Sequence, residues 1–265
     1  MKLSIISVCF NNIEGLKRTY RSVVEQTSRK DFEWVIIDGA STDGTAEWLL
    51  DHDSEIDRWI SEPDTGIYNA MNKGVRLASG DYLLFLNSGD TLNETEIIAG
   101  CLAYMSDKKS DLLFGDQIVY DPKNDNYGLW QTPFPIRPCD FITRTLPHQS
   151  TFIKKELLLQ IPYRENIGFA ADWLFFIEIL LRLNIKQTKI AEHISIFFLD
   201  GVSNNDSISN VERRKATFIK CFSESLWNDL FELQELHRLP ALGLNKSMKQ
   251  IRFFIGNIFR KFHLR

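Results

Sequence analysis

The residue types that could do chemistry gather first around Asp90. It closes the stretch Asp81-Tyr-Leu-Leu-Phe-Leu-Asn-Ser-Gly-Asp90, in which a run of large apolar residues, Tyr82 to Leu86, stops at a polar tetrad. A short apolar run bounded by turn residues reads as a strand buried on both faces, as in a parallel sheet. Ligands of open α/β sheets bind beyond the carboxyl ends of strands. The tetrad Asn87, Ser88, Gly89 and Asp90 therefore stands where a ligand would, and Asp90 is its one charged side chain. A carboxylate there can hold a hard divalent cation, which prefers oxygen ligands and often brings phosphates with it. The same four residue types also make an ordinary strand-end turn. Asp38 ends a second apolar run, Phe32 to Ile37. An acid at that place suits a hydrogen bond to a ribose hydroxyl or a base N–H, or it shapes the turn. Asp43-Gly-Thr45 directly precedes the next helix, so Asp43 is the better cap and Asp38 is left freer for a ligand.

The elements that must position these residues follow from periodicity. Leu3 to Val8 reads as strand one. Ile13, Leu16, Tyr20, Val23 and Val24 recur at helical spacing after Asn11 and Asn12, either of which can cap the helix. Phe32 to Ile37 is strand two, Thr45 to Leu50 begins a helix, and Ile56 to Ile60 is strand three. Glu62-Pro-Asp-Thr-Gly66 is a turn, and a helix with Ile67, Ala70, Met71, Gly74, Val75 and Ala78 inward leads to the strand at Tyr82. This β-α-β-α-β-α-β order predicts a parallel sheet with helices on its faces, and right-handed crossovers put the strand ends on one edge. Asn93 to Met105 reads as a helix and Leu112 to Val119 as a strand. Five prolines between Asp121 and Pro147 predict loops or edge strands. Ala170 to Leu183 reads as a helix, Ile194 to Leu199 as a strand, and Asn210 to Leu236 as one long amphipathic helix.

Composition excludes several classes. The 265 residues are 44% hydrophobic and 25% charged with a formal net charge of -4, an ordinary globular balance with no basic footprint for nucleic acid. Cys9, Cys101, Cys139 and Cys221 form no CxxC pair, so neither a zinc site nor a disulfide framework is expected, and a reducing cytosol is the simpler home. The N-terminal stretch lacks a signal-peptide layout, and no apolar run reaches the ~18 residues of a membrane span. Neither GxGxxG nor GxxxxGK[ST] occurs, which argues against dinucleotide and P-loop sites.

Four stretches together carry a resemblance. They are Ser4-Ile-Ile-Ser-Val-Cys-Phe-Asn11, Trp34-Val-Ile-Ile-Asp-Gly-Ala-Ser-Thr-Asp-Gly-Thr45, Glu62-Pro-Asp-Thr-Gly-Ile-Tyr-Asn-Ala-Met-Asn-Lys-Gly74 and Ala78-Ser-Gly-Asp-Tyr-Leu-Leu-Phe-Leu-Asn-Ser-Gly-Asp90. In order and content they resemble the family 2 glycosyltransferases of GT-A fold, nearest to those that build bacterial exopolysaccharide, colanic acid or O-antigen units. The resemblance implies a Rossmann-like, mostly parallel sheet with flanking helices. It divides the chain into a glycosyltransferase domain over 1–205, with a nucleotide-sugar half at 1–110 and an acceptor half at 111–205, and a helical extension over 206–265. Asp38 would contact the base, Cys9 and Asn11 would line the same pocket, and Asp64, Asn69 and Lys73 would wall it. Asn87 and Ser88 belong to the donor side. Asp90 matches the metal-binding final Asp of the family's DxD-type motif. Asn87 and Gly89 replace acids common in the family, so one carboxylate plus the donor's phosphates would hold magnesium or manganese.

The resemblance also implies a catalytic Asp at a helix start, matched by Asp172 in Gly168-Phe-Ala-Ala-Asp-Trp-Leu174, with Ala171 in place of the usual acidic neighbour. An acceptor hydroxyl that attacks an anomeric carbon must lose its proton, and a carboxylate within hydrogen-bond reach can take it. The competing role of Asp172 is to cap the helix. Trp173 falls on the acceptor side; His148, in His148-Gln149-Ser150, either lines the acceptor or phosphate side or is a structural histidine, and Gly201-Val-Ser203 has a weaker family echo. In the tail, Ile251, Phe254, Ile255, Ile258, Phe259 and Phe262 share a helical face opposite basic residues, the pattern of an interfacial membrane helix or of a packed helix with a solvated face. The expected enzyme is an inverting glycosyltransferase, cytoplasmic and peripheral on the inner face of the cell membrane. It would move a sugar from a nucleotide-sugar, a UDP-sugar by expectation, to a saccharide or polyprenyl-linked saccharide. A sugar nucleotidyltransferase and an inactive nucleotide-sugar-binding subunit are the alternatives.

Overall fold

A computed structural model describes residues 2–108, 110–168, 170–200 and 207–238. The first part of the chain is built in the order the periodicity predicts: β1 (Leu3–Cys9), α1 (Ile13–Val24), β2 (Phe32–Asp38), α2 (Thr45–Asp51), β3 (Arg58–Ser61), α3 (Ile67–Leu77) and β4 (Tyr82–Phe85). β1 lies between β2 and β4, β3 lies outside β2, and all three pairings are parallel. Cys9 is level with Asp38, and Asp38 with Ser61. Three strands therefore end side by side, with these side chains on one face of the sheet.

The second half continues the same sheet. It comprises β5 (Thr91–Leu92), α4 (Ile97–Lys108), β6 (Leu112–Asp121), β7 (Asn126–Trp130), β8 (Thr151–Lys154), α5 (Lys155–Gln160), α6 (Ala171–Arg182) and β9 (Gln187–Phe198). The strand order is β3-β2-β1-β4-β8-β6-β9-β5, with β7 paired to β6. β8 runs antiparallel to both β4 and β6, whereas β9 runs parallel to β6. The proline-rich stretch contributes one exposed edge strand, β7, as expected of prolines that cannot donate to a ladder.

Two apolar layers flank the sheet. Leu3, Ile5, Trp34, Ile36, Tyr82 and Leu84 pack with α1, α2 and α4 on one face. Ile6, Val8, Val35, Ile37, Leu83 and Phe85 pack with α3 and α6 on the other. Each fully buried Leu, Ile or Val contributes about 1.5–3 kcal/mol. α3 sits close because Gly74 faces β1: a Cβ there would come within 2.5 Å of Ile6 Cγ2.

Two expectations are corrected. The helix expected from Asn93 begins at Ile97, because Thr91 and Leu92 pair with β9 and Asn93 N–H donates to Ile194 O. The single helix expected over Asn210–Leu236 is two, α7 (Ser207–Cys221) and α8 (Glu224–Arg238). Ser223 breaks it by accepting the Leu226 N–H at 3.1 Å as a helix cap. Phe218, Leu226, Trp227 and Leu230 of these helices join the same apolar layer as Trp173 and Phe176. Among the described residues no helix is long and apolar enough to cross a membrane. Gly201-Val-Ser203 and the amphipathic tail after Pro240 lie outside the described residues.

Candidate active site

The donor end is shaped by three loops tied together through side chains. Asn11 adopts a left-handed conformation, φ 48°, that turns the chain out of β1. Its Oδ1 accepts the Thr42 N–H at 2.8 Å, and its own N–H donates to Ser41 Oγ at 2.8 Å. Asn12 caps α1 through the Gly15 N–H. Asp43 accepts from Ile13 N at 2.9 Å and from Thr45 Oγ1 at 2.6 Å, so it serves two helix starts at once, as its place before Thr45 suggests. Asp38 is level with these loops but fully buried. Its oxygens accept Ser41 N–H at 3.1 Å, Ser61 Oγ at 2.5 Å and Ser41 Oγ. The carboxylate expected to be free for a base is thus engaged in holding the loop that follows β2. Burial raises the pKa of the Cys9 thiol, which lies behind this loop.

Above that floor the surface is open. Phe10 is 63% exposed. Its ring and the Asp64 carboxylate both close over Gly39, where a Cβ would meet Asp64 Oδ2 at 2.6 Å and Phe10 Cδ2 at 3.1 Å. Asp64 Oδ1 accepts the Gly66 N–H at 2.8 Å. Lys73 is not free to meet a ligand: its Nζ lies 2.8 Å from both Pro63 O and Glu62 Oε1, which fixes the turn before α3. Asn69 Nδ2 donates to Glu165 Oε2 at 2.9 Å, and Asn72 Nδ2 to Glu165 Oε1 at 2.9 Å, so α3 is bound to the loop before α6.

The tetrad after β4 folds over α1. Ser88 N–H donates to Val8 O and its Oγ to Asn12 O. Gly89, at φ 108°, donates to Thr19 Oγ1 at 3.0 Å, and its carbonyl accepts Arg18 Nε at 2.8 Å. Arg18 continues to Asp200 and lies 3.8 Å from the Phe198 ring centre. Asp90 is 7% exposed, and Gln149 Nε2 donates to its Oδ2 at 3.1 Å. Burial pushes its pKa up to about 6, against the pull of Gln149, His148 and Arg18.

The acceptor end meets this turn through His148. Its Nδ1 lies 3.1 Å from Asp172 Oδ2 and its Nε2 lies 3.3 Å from Asn87 Nδ2. Tyr68 of α3 donates its hydroxyl to Asp172 Oδ1 at 2.7 Å. Asp172 stands in the first turn of α6, whose cap position, Ala170, has no capping side chain. Burial raises the Asp172 pKa, but the His148 and Tyr68 hydrogen bonds prevail and leave it below the usual carboxylate range. A carboxylate held by two donors beside the Asn87–Asp90 turn has the chemistry a general base requires. Trp173 is corrected: it is 1% exposed, donates its Nε1–H to Phe141 O, and packs with Phe218 and Trp227, so it belongs to the core.

Comparisons with known proteins identify the family and the fold. The family model described as Glycosyl transferase family 2 matches residues 4–180. The chain belongs to glycosyltransferase family 2. It is 33% identical over 189 residues to an uncharacterized glycosyltransferase of Mycobacterium tuberculosis, covering 68% of this chain and 69% of that protein. It is 36% identical over 177 residues to a PGL/p-HBAD biosynthesis glycosyltransferase of Mycobacterium bovis, covering 65% and 67%. Among solved structures it matches S. aureus TarS 1-349 in complex with UDP-GlcNAc, with a TM-score of 0.68 and 19% identity over 88% of this chain and 71% of that one. It also matches the mannosyltransferase PcManGT of Pyrobaculum calidifontis in complex with GDP-Man and Mn2+, with a TM-score of 0.59 and 16% identity over 84% and 64%. These likenesses establish the GT-A fold, and family membership makes the chain a hexosyltransferase-type glycosyltransferase rather than a nucleotidyltransferase.

The GT-A family often uses a divalent ion. Among the described residues no group of three or more His, Cys, Asp or Glu side chains could enclose one. The donor set nevertheless fits an ion completed from outside: Asp90 offers a hard carboxylate oxygen, nearly buried, with one side-chain hydrogen-bond donor, Gln149. Magnesium and manganese accept one protein carboxylate plus phosphates and water.

Three residues absent from the sequence-based list stand beside the candidate site residues: Tyr68, Phe10 and Arg214. Tyr68 sits inside the quoted Gly66-Ile-Tyr-Asn motif and could have been read as facing the site, opposite Ile67. Arg214 of α7 lies close enough to Asp172 and Tyr68 for its charge to interact with both, and its guanidinium carbon is 5.8 Å from the Trp173 ring centre. No sequence signal links α7 to the site, since that contact depends on how the helix packs.

Proposed function

We propose that the chain is an inverting glycosyltransferase that moves a sugar from a UDP-sugar to a saccharide or lipid-linked saccharide in bacterial surface-glycan assembly. The observation that carries this reading is the chain of contacts Asp172–His148–Asn87, which sets a half-buried carboxylate next to the turn bearing Asp90. The base of the nucleotide lies on Phe10, with Asn11 and Asp64 at its rim. Asp38 acts beneath the base by fixing the 39–44 loop, and Cys9 by filling space under it. The diphosphate lies along the Asn87–Asp90 turn, where Asp90 would hold a magnesium or manganese ion. When bound, that ion supplies charge neutralisation to the leaving diphosphate. Asp172 takes the proton of the acceptor hydroxyl as its oxygen bonds to the anomeric carbon and the nucleotide leaves from the opposite face, so configuration inverts in one displacement. Arg214 adds a cation on the acceptor side.

The glycan context rests on the mycobacterial relative named for PGL/p-HBAD biosynthesis, and the UDP donor on the likeness to a protein solved with UDP-GlcNAc. With its amphipathic basic tail, the chain is placed on the cytoplasmic face of the cell membrane. The reading is tested by thermal denaturation with UDP, GDP and their sugars, with and without Mg2+ or Mn2+, followed by transfer to a saccharide acceptor. A ligand bound to the native state raises the melting temperature. The reading fails if no nucleotide sugar does so and no donor is turned over.

A further inference from the structure

We infer that His148 is a positioning residue: Asn87 holds its imidazole as the Nδ1–H tautomer, and that N–H fixes Asp172 against the donor-side turn. The inference rests on Asp172 being the base, and it says how that base is held.

Hydrogen-bond roles decide the tautomer. An ionised carboxylate only accepts, so the 3.1 Å contact between His148 Nδ1 and Asp172 Oδ2 requires the proton on Nδ1. An amide nitrogen only donates, so the 3.3 Å contact between Asn87 Nδ2 and His148 Nε2 requires a lone pair on Nε2. Both conditions are met by one neutral tautomer. The Phe85 ring of β4 meets the imidazole edge-on at 6.4 Å between centres and limits its rotation. Tyr68 holds the other Asp172 oxygen at 2.7 Å. Asp172 is thereby clamped between α3 and the 148–150 turn.

Asn87 shows what this arrangement costs. Its Oδ1 is buried with no hydrogen-bond partner. Turning the amide over would bring that oxygen to His148, but only to an Nε2 that carries a proton. The unpaired carbonyl is therefore the counterpart of the Nε2 lone pair. The same logic accounts for an amide at position 87, where the family resemblance leads one to expect an acid. A carboxylate there would face the Nε2 lone pair, acceptor against acceptor, until the ring took a second proton. The resulting imidazolium would hold Asp172 more tightly and make it a weaker base. Asn87 on this account serves the acceptor base, and restoring an acid at 87 is not a gain in metal binding.

The test is 15N NMR of the full chain labelled at its five histidines, His52, His148, His193, His237 and His263. The His148 signals are assigned with His148→Gln. At neutral pH the parent should show Nδ1 protonated and Nε2 unprotonated. Asn87→Asp should show both protonated at the same pH. The inference is overturned by an Nε2–H tautomer or an imidazolium in the parent, a result that needs no variant to fold beyond the assignment. It is equally overturned if Asn87→Asp leaves the parent pattern. In kinetics, His148→Gln should lower kcat at least tenfold while donor affinity and acceptor KM stay within twofold. A kcat within twofold of the parent overturns the positioning role. Loss of turnover in Asp172→Asn is a separate outcome, so failure of the base assignment and failure of this inference are distinguishable.

Discussion

Asp172→Asn is the substitution that tests the mechanism most directly. Its carboxylate accepts from Tyr68 at 2.7 Å and His148 at 3.1 Å within the apolar layer around α6. An asparagine of the same shape keeps an acceptor for Tyr68 but turns an N–H toward His148. The ring then has to move its proton to Nε2, where Asn87 Oδ1, otherwise unpaired, can accept it after its amide turns. The variant can therefore rebuild its hydrogen bonds. Each lost bond to a charged group is worth about 1.5–3 kcal/mol, but the half-buried charge and its partial desolvation cost are lost as well. The net change in stability should be within about 2 kcal/mol. The rate behaves differently, because an amide cannot take the acceptor's proton. General-base catalysis contributes about 10²–10⁴-fold, equivalent to about 2.7–5.4 kcal/mol of barrier. Nucleotide release should be followed with saturating donor and acceptor, donor affinity by calorimetry and folding by thermal melt. A transfer rate within a few-fold of the parent, at unchanged donor affinity, would refute the base assignment and leave Asp172 a structural residue.

Asp90→Ala should abolish the extra thermal stabilisation that Mg2+ or Mn2+ adds to a bound nucleotide diphosphate, and an undiminished metal-dependent shift would remove Asp90 from the metal site. Gly39→Ala places a Cβ 2.6 Å from Asp64 Oδ2 and 3.1 Å from Phe10 Cδ2, and should weaken nucleotide binding about tenfold with little effect on melting. Equal affinity in calorimetry would mean that Phe10 and Asp64 do not shape the pocket. Glu33, buried in β2, accepts from Ser4 and Ser79 and pairs with Arg58 at 2.9 Å; burial raises its pKa but the Ser4 and Ser79 hydrogen bonds, with the charge of Lys2, take it below the usual value. Its stabilising effect is present above the unfolded pKa near ~4.3 and is lost as pH falls through the folded value. Glu33→Gln should destabilise by about 2 kcal/mol at pH 7, with the gap to the parent closing as denaturation is repeated toward pH 3. Removing residues 246–265 should release the protein from anionic vesicles while sparing transfer to a soluble acceptor, and unchanged vesicle binding would end the membrane assignment.

The nucleotide half was legible because each of its strands is a short apolar run stopped by turn formers. The positions of Asp38 and Asp90 follow from that punctuation alone. What the punctuation does not carry is which polar neighbours already occupy a side chain. Asp38 reads as free once Asp43 is assigned the cap. The competing donors, Ser41 and Ser61, come from its own loop and from a strand 23 residues on, brought level only by the parallel register. Lys73 is likewise drawn back onto Glu62 and Pro63 by neighbours that spacing does not reveal. The break between α7 and α8 was written in the sequence as Ser223-Glu224, a cap followed by an acid, but the apolar spacing of Phe218, Phe222 and Leu226 runs straight through it.

The acceptor side is harder to read for a physical reason. Its strands pair in both directions, and its groups arrive from four separated segments: Tyr68, Asn87, His148 and Asp172. Sequence spacing carries no information about such a cluster, because each contact is made by side chains on different elements. A motif can nominate Asp172 as a base, but it cannot say that one of its oxygens answers to α3 and the other to the turn before β8. That division is what gives the site its logic. Asn87 comes from the stretch that ends at Asp90, His148 opens the His148-Gln149-Ser150 stretch, and the imidazole between them makes the position of Asp172 depend on both. A substitution at Asn87 should therefore alter acceptor chemistry as well as donor binding, and the two halves of the site are better regarded as one hydrogen-bonded unit than as two pockets sharing an edge.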